Sequence, residues 1–533
     1  MRRIPCALIT AAAAVVMLAA APLAAKTLRW SSQGDILTFD PQAQNEGLNN
    51  TAASYVYEPL ITYNEKFELQ PALATSWKQD TPLIWRFELR KGVKFHDGAP
   101  LTAADVEFSI HRAMHPKSNF RQYTVGVERA RALDDHTLLI ITSVPNPVLL
   151  RQLTELRVMS KAWAEKHNVA TPQDFVQREE TYAARNANGT GPYILKTREV
   201  DVRTVFTENP NWWGKATKKG NVTEVVYTPI KSDATRTAAL LSGEIDFVLD
   251  PAPQDIARLK ANPNIKIVEG AENRTIFLGF DQFRDELQYA DVKGKNPFKD
   301  VRVRQALYHA IDINAIQKSV MRGSSDPTGA IIQRAVNGWT PQAHQRLPYD
   351  EKKARELLTA AGYPNGFTFT LDCPNNRYIN DENICKALAA MWARVGLKVN
   401  VNAMPRATYF PKIQKNDTSA YLLGWGVPTF DALYSLQSLG RTVGSGGDGN
   451  FNLGKVSNPE FDKLVDAIKS ETDQKKRNDM IGKALMIHNE QVMHIPLHNQ
   501  VIPWAMRKNI SVVHRADNRL EIRWVRVDGG KAD

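Results

Sequence analysis

The spacing of apolar residues changes twice between positions 366 and 401, and this change restricts the possible folds more than any other feature. Residues 367–371 alternate between apolar and polar, which is typical of a strand with one buried face. Between 384 and 395 the apolar residues recur at helical spacing, and in 397–401 apolar and polar residues alternate again. A helix of this length between two strands is the crossover that a parallel pair requires, so the segment predicts an α/β fold.

The chain of 533 residues, 43% of them hydrophobic, is long enough for roughly three lobes. Other segments show the same helical and strand periods of apolar residues. Thr102 followed by Asp105 predicts the start of a helix. Because no repeat of 20–50 residues is present, a solenoid is not expected. Further helices are predicted at 300–323, 350–362, 459–468 and 481–492, a helix with a following strand at 235–249, and extended chain at 494–506.

The N-terminus has the three parts of a secretory signal peptide. Arg2 and Arg3 precede an apolar stretch at 7–21, and small residues lead to an expected cleavage site near Ala25. The apolar stretch is shorter than the roughly 20 residues that span a bilayer. Cys6 precedes this stretch and is therefore misplaced for lipid attachment, so we expect a soluble periplasmic protein.

Two cysteines remain after removal of the signal peptide, Cys373 and Cys385. In the oxidising compartment outside the cytoplasm such a pair can form a bridge. We predict a Cys373–Cys385 disulfide, and two free buried thiols are the alternative.

Charge and glycine motifs exclude several functions. The net charge is +11, but the basic residues are scattered, so no nucleic-acid partner is expected. No Gly-Lys pair is followed by Ser or Thr, so the sequence contains no Walker A loop. The glycines at 444–449 match G-x-G-x-x-G, yet they open no helix and indicate a flexible loop. No cofactor is predicted.

The histidine pairs do not form a convincing metal site. His111 and His115 are four apart on a helix but lack the Glu of an H-E-x-x-H motif. His494 and His498 lie on extended chain, which would separate them by about 13 Å. We therefore predict no metal site, and expect these residues to pack or form hydrogen bonds.

Nucleophile motifs are also missing. The sequence has no G-x-S-x-G elbow, and bridged cysteines would leave no thiol nucleophile. A pair of carboxylates assembled by the fold remains possible. The sequence thus offers no positive evidence for an enzyme.

One long string carries a family resemblance. LRKGVKFHDGAPLTAADV, at residues 89–106, closely resembles the family 5 extracytoplasmic solute-binding proteins of ABC importers, which include dipeptide, oligopeptide, nickel and opine receptors. The resemblance spans essentially the whole mature chain. It continues in YEPL (57–60), GPY (191–193), NPNWW (209–213), SGEID (242–246), VRVRQAL (301–307), ARELL (354–358) and AGYPNGF (361–367).

The resemblance implies an α/β fold of the type II periplasmic-binding-protein kind, with two lobes and an inserted domain. By analogy the first lobe comprises 26–66, 190–280 and 495–533, the inserted domain 67–189, and the second lobe 281–494. A monomer is expected. It would close around a small-molecule solute and then dock on the transmembrane subunits of an ABC permease.

Trp425, between Gly424 and Gly426, matches a segment that lines the ligand cleft in peptide-binding relatives. We expect Trp425 and both glycines to contact ligand, and a core tryptophan is the alternative. Those relatives place an Asp three residues after the Trp to pair with the ligand's α-amino group, whereas this chain has Pro428. Asp431 is a possible substitute.

Arg377 and Tyr378 lie in the loop after the strand of the 366–401 unit, a favoured ligand position in α/β folds. Arg377 could bind a carboxylate or phosphate, or could order the bridged loop together with Asp381. Tyr378 could serve either role.

In the first lobe, Asn45, Glu46 and Gly47 resemble a loop that contacts ligand in relatives, and Arg274 falls near the crossing between lobes. All four are predicted contacts, although such residues also occur in loops for turn geometry alone.

These observations predict a periplasmic receptor for a small polar, peptide-like solute, with an opine or metal chelate as further possibilities. Two other classes remain open at this point. One is a secreted α/β hydrolase that uses carboxylates, and the other is a periplasmic chaperone or signalling receptor.

Overall fold

The structure is a computed structural model and describes residues 26–528. The predicted signal peptide, its cleavage site near Ala25 and Cys6 lie outside the described residues. Across 26–528, every helix is too short or too polar to span a bilayer.

Strands and helices are mixed along the described chain, singly or in short runs. The strands are β1 (Thr27–Ser31), β2 (Ile61–Tyr63), β3 (Leu69–Pro71), β4 (Ala74–Thr81), β5 (Ile84–Leu89), β6 (Val127–Asp134), β7 (Thr137–Thr142), β8 (Tyr193–Glu199), β9 (Arg203–Glu208), β10 (Glu224–Tyr227), β11 (Phe247–Val248), β12 (Ile265–Phe280), β13 (Ser325–Pro327), β14 (Thr368–Pro374), β15 (Lys398–Met404), β16 (Ala420–Gly426), β17 (Ile495–Arg507), β18 (Ile510–Ser511) and β19 (Arg526–Val527). The helices are α1 (Gly47–Val56), α2 (Ala103–Met114), α3 (Leu149–Gln152), α4 (Lys161–Lys166), α5 (Tyr182–Arg185), α6 (Asp233–Ser242), α7 (Ile256–Lys260), α8 (Val301–His309), α9 (Ile313–Ala315), α10 (Pro341–His344), α11 (Glu351–Ala360), α12 (Asp381–Ala393), α13 (Arg406–Gln414), α14 (Leu433–Ser435), α15 (Pro459–Ser470) and α16 (Gln474–Glu490). Two π-helical turns, Ile316–Val320 and Leu436–Gly440, continue α9 and α14.

The predicted strand, helix, strand unit is confirmed as β14, α12 and β15. β14 runs parallel to β15, with Thr368 opposite Lys398, and is also parallel to β16. The alternation buries Phe369 and Leu371 completely, because one face of β14 packs on the core.

One large sheet runs through the molecule in the order β15, β14, β16, β12, β17, β11, β1, β10, β9, β8. We call β11, β1, β10, β9 and β8 the first half and β15, β14 and β16 the second half. The long antiparallel strands β12 and β17 belong to both, because β12 pairs with β16 near its end while β17 pairs with β11. The register between β12 and β17 shifts between Ala271 and Thr275. The two halves are therefore joined through an irregularity in a continuous strand pair.

A second, antiparallel sheet of β4, β5, β7 and β6 carries α2. As predicted, α2 follows Thr102, whose backbone N–H donates to Asp105 Oδ2 at 2.9 Å. This sheet falls within the predicted inserted domain 67–189. The domain ranges themselves stay a prediction.

Three elements differ from expectation. The predicted helix at 300–323 is interrupted, since α8 ends at His309 and α9 with its π-helical turn covers residues 313–320. α16 begins at Gln474 rather than 481, because Asp473 caps it by accepting from the Lys476 N–H. β11 contains only Phe247 and Val248 of the predicted strand 245–249. The extended C-terminal segment is confirmed as β17, which rejoins the sheet.

Candidate functional site

A cavity of about 80 Å³ lies at the junction between the two halves of the large sheet. Its walls come from the loop before α1, the middle of β12, the loop between β14 and α12, the end of β16 and the segment 517–519. The fold thus brings together residues that are up to several hundred positions apart in sequence.

Nine of the ten predicted ligand contacts line this one cavity. They are Asn45, Glu46, Gly47, Arg274, Arg377, Tyr378, Gly424, Trp425 and Gly426. The tenth, Asp431, does not. Its two carboxylate oxygens accept from Arg477 at 2.7 Å each, and Asn337 Nδ2 donates to it at 3.0 Å. Pro428 lines the cavity, but the substitute acid that we considered does not reach it.

Glu46 connects the two sides of the cavity. One of its carboxylate oxygens, Oε2, accepts from the Leu48 and Asn49 N–H groups and so caps α1, which packs on the first half. Arg377 Nε lies 2.6 Å from Oε1, and Arg406 Nη1 lies 3.1 Å from Oε2. Burial by itself would raise the pKa of Glu46, but the two guanidiniums and the backbone donors lower it to about 2. Glu46 is therefore an ionised link between the halves.

Two guanidinium groups converge on the start of α1. A Cβ on Gly47 would lie 3.2 Å from Arg377 Nη2 and 3.4 Å from Arg274 Nη2, so glycine lets both groups come close. Arg274 donates from Nε to Glu272 at 2.8 Å and from Nη1 to the Gly424 carbonyl at 3.2 Å. Glu46 already accepts from the N–H groups at this helix end, so any preference of this corner for an anion comes from the guanidinium groups of Arg274 and Arg377.

The loop that carries Arg377 and Tyr378 is held by Asp381 and by a disulfide. Asp381 Oδ2 accepts from the backbone N–H groups of Arg377 at 2.9 Å and Tyr378 at 3.0 Å. The predicted Cys373–Cys385 disulfide is confirmed and closes the same loop. Burial raises the pKa of Asp381 to about 7. The two predicted roles are thus divided: Asp381 orders the loop, while Arg377 reaches Glu46 and the cavity.

Aromatic rings form another part of the cavity wall. Trp425 stacks on Tyr434 with centroids 5.2 Å apart, Tyr434 stacks on Tyr123 at 5.2 Å, and Phe451 lies 4.9 Å from Trp425. Trp425 is only 5% exposed, and within residues 26–528 its buried Nε1 has no hydrogen-bond partner. Trp425 is therefore both a packed aromatic residue and part of the cavity wall.

Sequence reasoning missed several residues of this site. They are Tyr123, Asn273, Arg406, Tyr434, Asp517 and Arg519. None lies in a recognisable motif, and their convergence depends on tertiary structure. The alternating charges of Arg515, Asp517 and Arg519 were the one visible signal. In the structure Asp517 accepts two hydrogen bonds from Arg515, and Arg519 donates to Glu155 at 2.5 Å.

Two α/β halves joined by shared long strands, with a polar and aromatic cavity at the junction, define the class of type II periplasmic solute-binding proteins. The family model for bacterial extracellular solute-binding proteins, family 5 Middle, matches residues 68–447. The chain belongs to this family, whose members are the extracytoplasmic solute-binding proteins of ABC importers.

Individual relatives agree with this assignment. The chain is 27% identical over 492 residues to heme-binding protein A of Haemophilus influenzae, covering 87% of this chain and 85% of that protein. It is 25% identical over 524 residues to the dipeptide-binding protein of Escherichia coli, covering 93% of each. The solved structure of the periplasmic binding protein DppA from Helicobacter pylori, in complex with the peptide STSA, has a TM-score of 0.82 at 24% identity and covers 94% and 97%. The predicted family and fold class are confirmed.

Proposed function

We propose that this protein is a periplasmic receptor that closes on a small polar, peptide-like solute and delivers it to the transmembrane subunits of an ABC permease. The observation that carries the proposal is the cavity at the junction, to which both halves contribute charged side chains. A ligand that contacts both walls binds the closed form better than the open form, and this difference in affinity drives closure.

The named relatives support a peptide-like solute. One is a dipeptide-binding protein, and the related DppA structure holds a peptide. Another relative of similar identity is a heme-binding protein, so sequence identity alone does not indicate which solute this protein binds. The solute class is therefore inferred from the residues that line the cavity.

In this proposal Asn45, Glu46, Gly47, Arg274, Arg377, Tyr378, Gly424, Trp425 and Gly426 contact the solute. The lobes are 26–66 with 190–280 and 495–533, and 281–494, with the inserted domain at 67–189. The register shift near Ala271 lies inside β12, within the range proposed for the first lobe. The protein acts as a monomer after removal of residues 1–25, and it performs no covalent chemistry.

Binding and closure are tested together. Isothermal titration with dipeptides, tripeptides, opines and nickel chelates identifies a binder, and small-angle X-ray scattering then measures the radius of gyration with and without it. We expect the radius to decrease on binding and the solute to be recovered intact by mass spectrometry. Turnover of the solute without compaction would instead favour a hydrolase.

A further inference from the structure

Positively charged side chains outnumber negatively charged ones around the cavity. Its lining contains three arginines, Arg274, Arg377 and Arg519, and two carboxylates, Glu46 and Asp517. When their direct ion-pair partners are included, five guanidiniums face four carboxylates. One positive charge therefore remains in excess among these groups, and a bound anion would balance it.

Both lining carboxylates are already engaged. Glu46 is held by Arg377 and Arg406, and Asp517 is held by Arg515 through two hydrogen bonds of 2.9 and 2.6 Å. Among the described residues, no other carboxylate lines this cavity. A ligand ammonium would consequently meet surplus guanidinium charge and no free carboxylate, which disfavours its binding.

Four buried polar atoms of the lining have no hydrogen-bond partner among the described residues. Two of them, Glu46 Oε1 and Arg377 Nε, face each other as an ion pair at 2.6 Å, and the other two are neutral. Trp425 Nε1 is a buried donor, and Asn273 Oδ1 is a buried neutral acceptor, because the Asn273 amide nitrogen donates to the Val427 carbonyl. An indole N–H can bind a carboxylate oxygen, and a neutral amide oxygen suits an amide N–H of the ligand. Both residues are at least nine-tenths buried.

We infer that the cavity selects an anionic, peptide-like acid whose amino group is acylated or otherwise uncharged. Its carboxylate binds near Arg274, Arg377 and the start of α1, and its amide N–H binds Asn273 Oδ1. This inference rests on the proposed function and specifies the solute class of the same site.

The test compares N-acetyl-Ala-Phe with two probes that each differ from it in one group, Ala-Phe and N-acetyl-Ala-Phe amide. Isothermal titration should give N-acetyl-Ala-Phe at least about tenfold higher affinity than either of the others, because each of these lacks a favourable group or adds an unpaired charge. Equal or tighter binding of Ala-Phe would overturn the inference and leave the proposed function standing. If none of the three binds at about 1 mM while another solute of the wider panel does, the inference also fails. If no solute of any class binds, the proposed function fails with it.

A variant of the cavity wall reverses the selection. Pro428→Asp places a carboxylate in the lining, and Pro428→Ala is the matched neutral control. In Pro428→Asp we expect the preference to shift by at least about tenfold toward Ala-Phe, whereas Pro428→Ala keeps the wild-type order. An unchanged order in a Pro428→Asp variant of wild-type melting temperature would contradict the inference, and the comparison of probes on the wild-type protein stands independently of this variant.

Discussion

Glu46 and Arg377 form a buried ion pair across the cavity, with 2.6 Å between Oε1 and Nε and side chains only 1% and 12% exposed. They are 331 positions apart in sequence. Glu46 caps a helix that packs on the first half of the sheet, whereas Arg377 belongs to a loop of the second half. The pair therefore links the same two walls that a bound solute would bridge.

Replacing Glu46 tests whether this pair holds the halves together. Glu46→Gln leaves Arg377 and Arg406 buried without a carboxylate, which should weaken closure by about 3 kcal/mol. We expect a larger radius of gyration by small-angle X-ray scattering than for the wild type. Glu65→Gln, which removes an exposed pair with Lys219, is the control and should change nothing measurable.

The pH dependence of the same pair follows from its pKa. Because the pKa of Glu46 is lowered to about 2 from 4.5, the ion pair contributes fully to the free energy of closure above pH 4.5. This contribution is lost as the pH falls toward 2. A radius that stays constant in Glu46→Gln and in the wild type at every pH would show that the pair does not control closure.

Trp425→Phe separates the indole N–H from the ring stack. Since Trp425 is 5% exposed and packs on Tyr434 and Phe451, truncation to Ala would also cost stability. Phe keeps an aromatic ring but removes the unpartnered Nε1 donor. We expect the affinity for the identified solute to fall by about 1 kcal/mol or more, with a melting temperature close to that of the wild type. Unchanged affinity would assign Trp425 to packing alone.

Asp381→Asn should alter the pH dependence of folding. Because burial raises the pKa of Asp381 to about 7 from 3.8, the unfolded chain ionises this group more readily than the folded protein does. Its contribution to the free energy of unfolding is therefore highest below pH 3.8 and decreases as the pH rises to about 7. Urea unfolding at pH 4, 5.5 and 7 should show a steeper decrease for the wild type than for the variant. The control Asp285→Asn, at an exposed pair with Lys299, should show the wild-type dependence of the free energy of unfolding on pH. The same dependence in Asp381→Asn and the wild type would refute the raised pKa of Asp381.

The disulfide stabilises both the fold and the site. Cys373 and Cys385 are 12 residues apart, so the bridge should contribute about 3 kcal/mol. The double variant Cys373→Ser with Cys385→Ser should lose this free energy of unfolding, and its solute affinity should also fall because the loop of Arg377 gains freedom. An effect on stability with unaltered affinity would mean that Asp381 alone orders the loop.

Asp431 offers the opposite test, since it lies outside the cavity. Asp431→Asn leaves Arg477 buried with a weakened partner and should cost about 3 kcal/mol of stability. Solute affinity of the folded variant should remain at the wild-type level. A loss of affinity at unchanged stability would make Asp431 a ligand anchor.

The sequence predicted the secondary-structure elements and the family, because both follow from local residue patterns. The changes of period around 366–401 predicted β14, α12 and β15, and the resemblance of 89–106 led to the correct family. The resemblance, together with the position of Arg377 and Tyr378 in the loop after β14, selected nine residues that line one cavity. Asp431 was the exception, because sequence distance does not reveal that Arg477 already holds its carboxylate.

The remaining cavity residues could not be found in this way. Tyr123 lines the cavity and Arg406 pairs with Glu46 beside it, yet both come from segments without a motif and only tertiary packing brings them to the junction. The charge surplus is likewise a property of the folded site, since it depends on which arginine meets which carboxylate.

Native mass spectrometry of the protein purified from the periplasm without refolding tests the central claim most directly. The account predicts a protein that carries one small adduct, lost on denaturation, whose mass and fragmentation identify a peptide-like carboxylic acid. A spectrum without an adduct, which also stays unchanged when peptides, N-acylated peptides, opines and nickel chelates are added, would contradict a solute receptor.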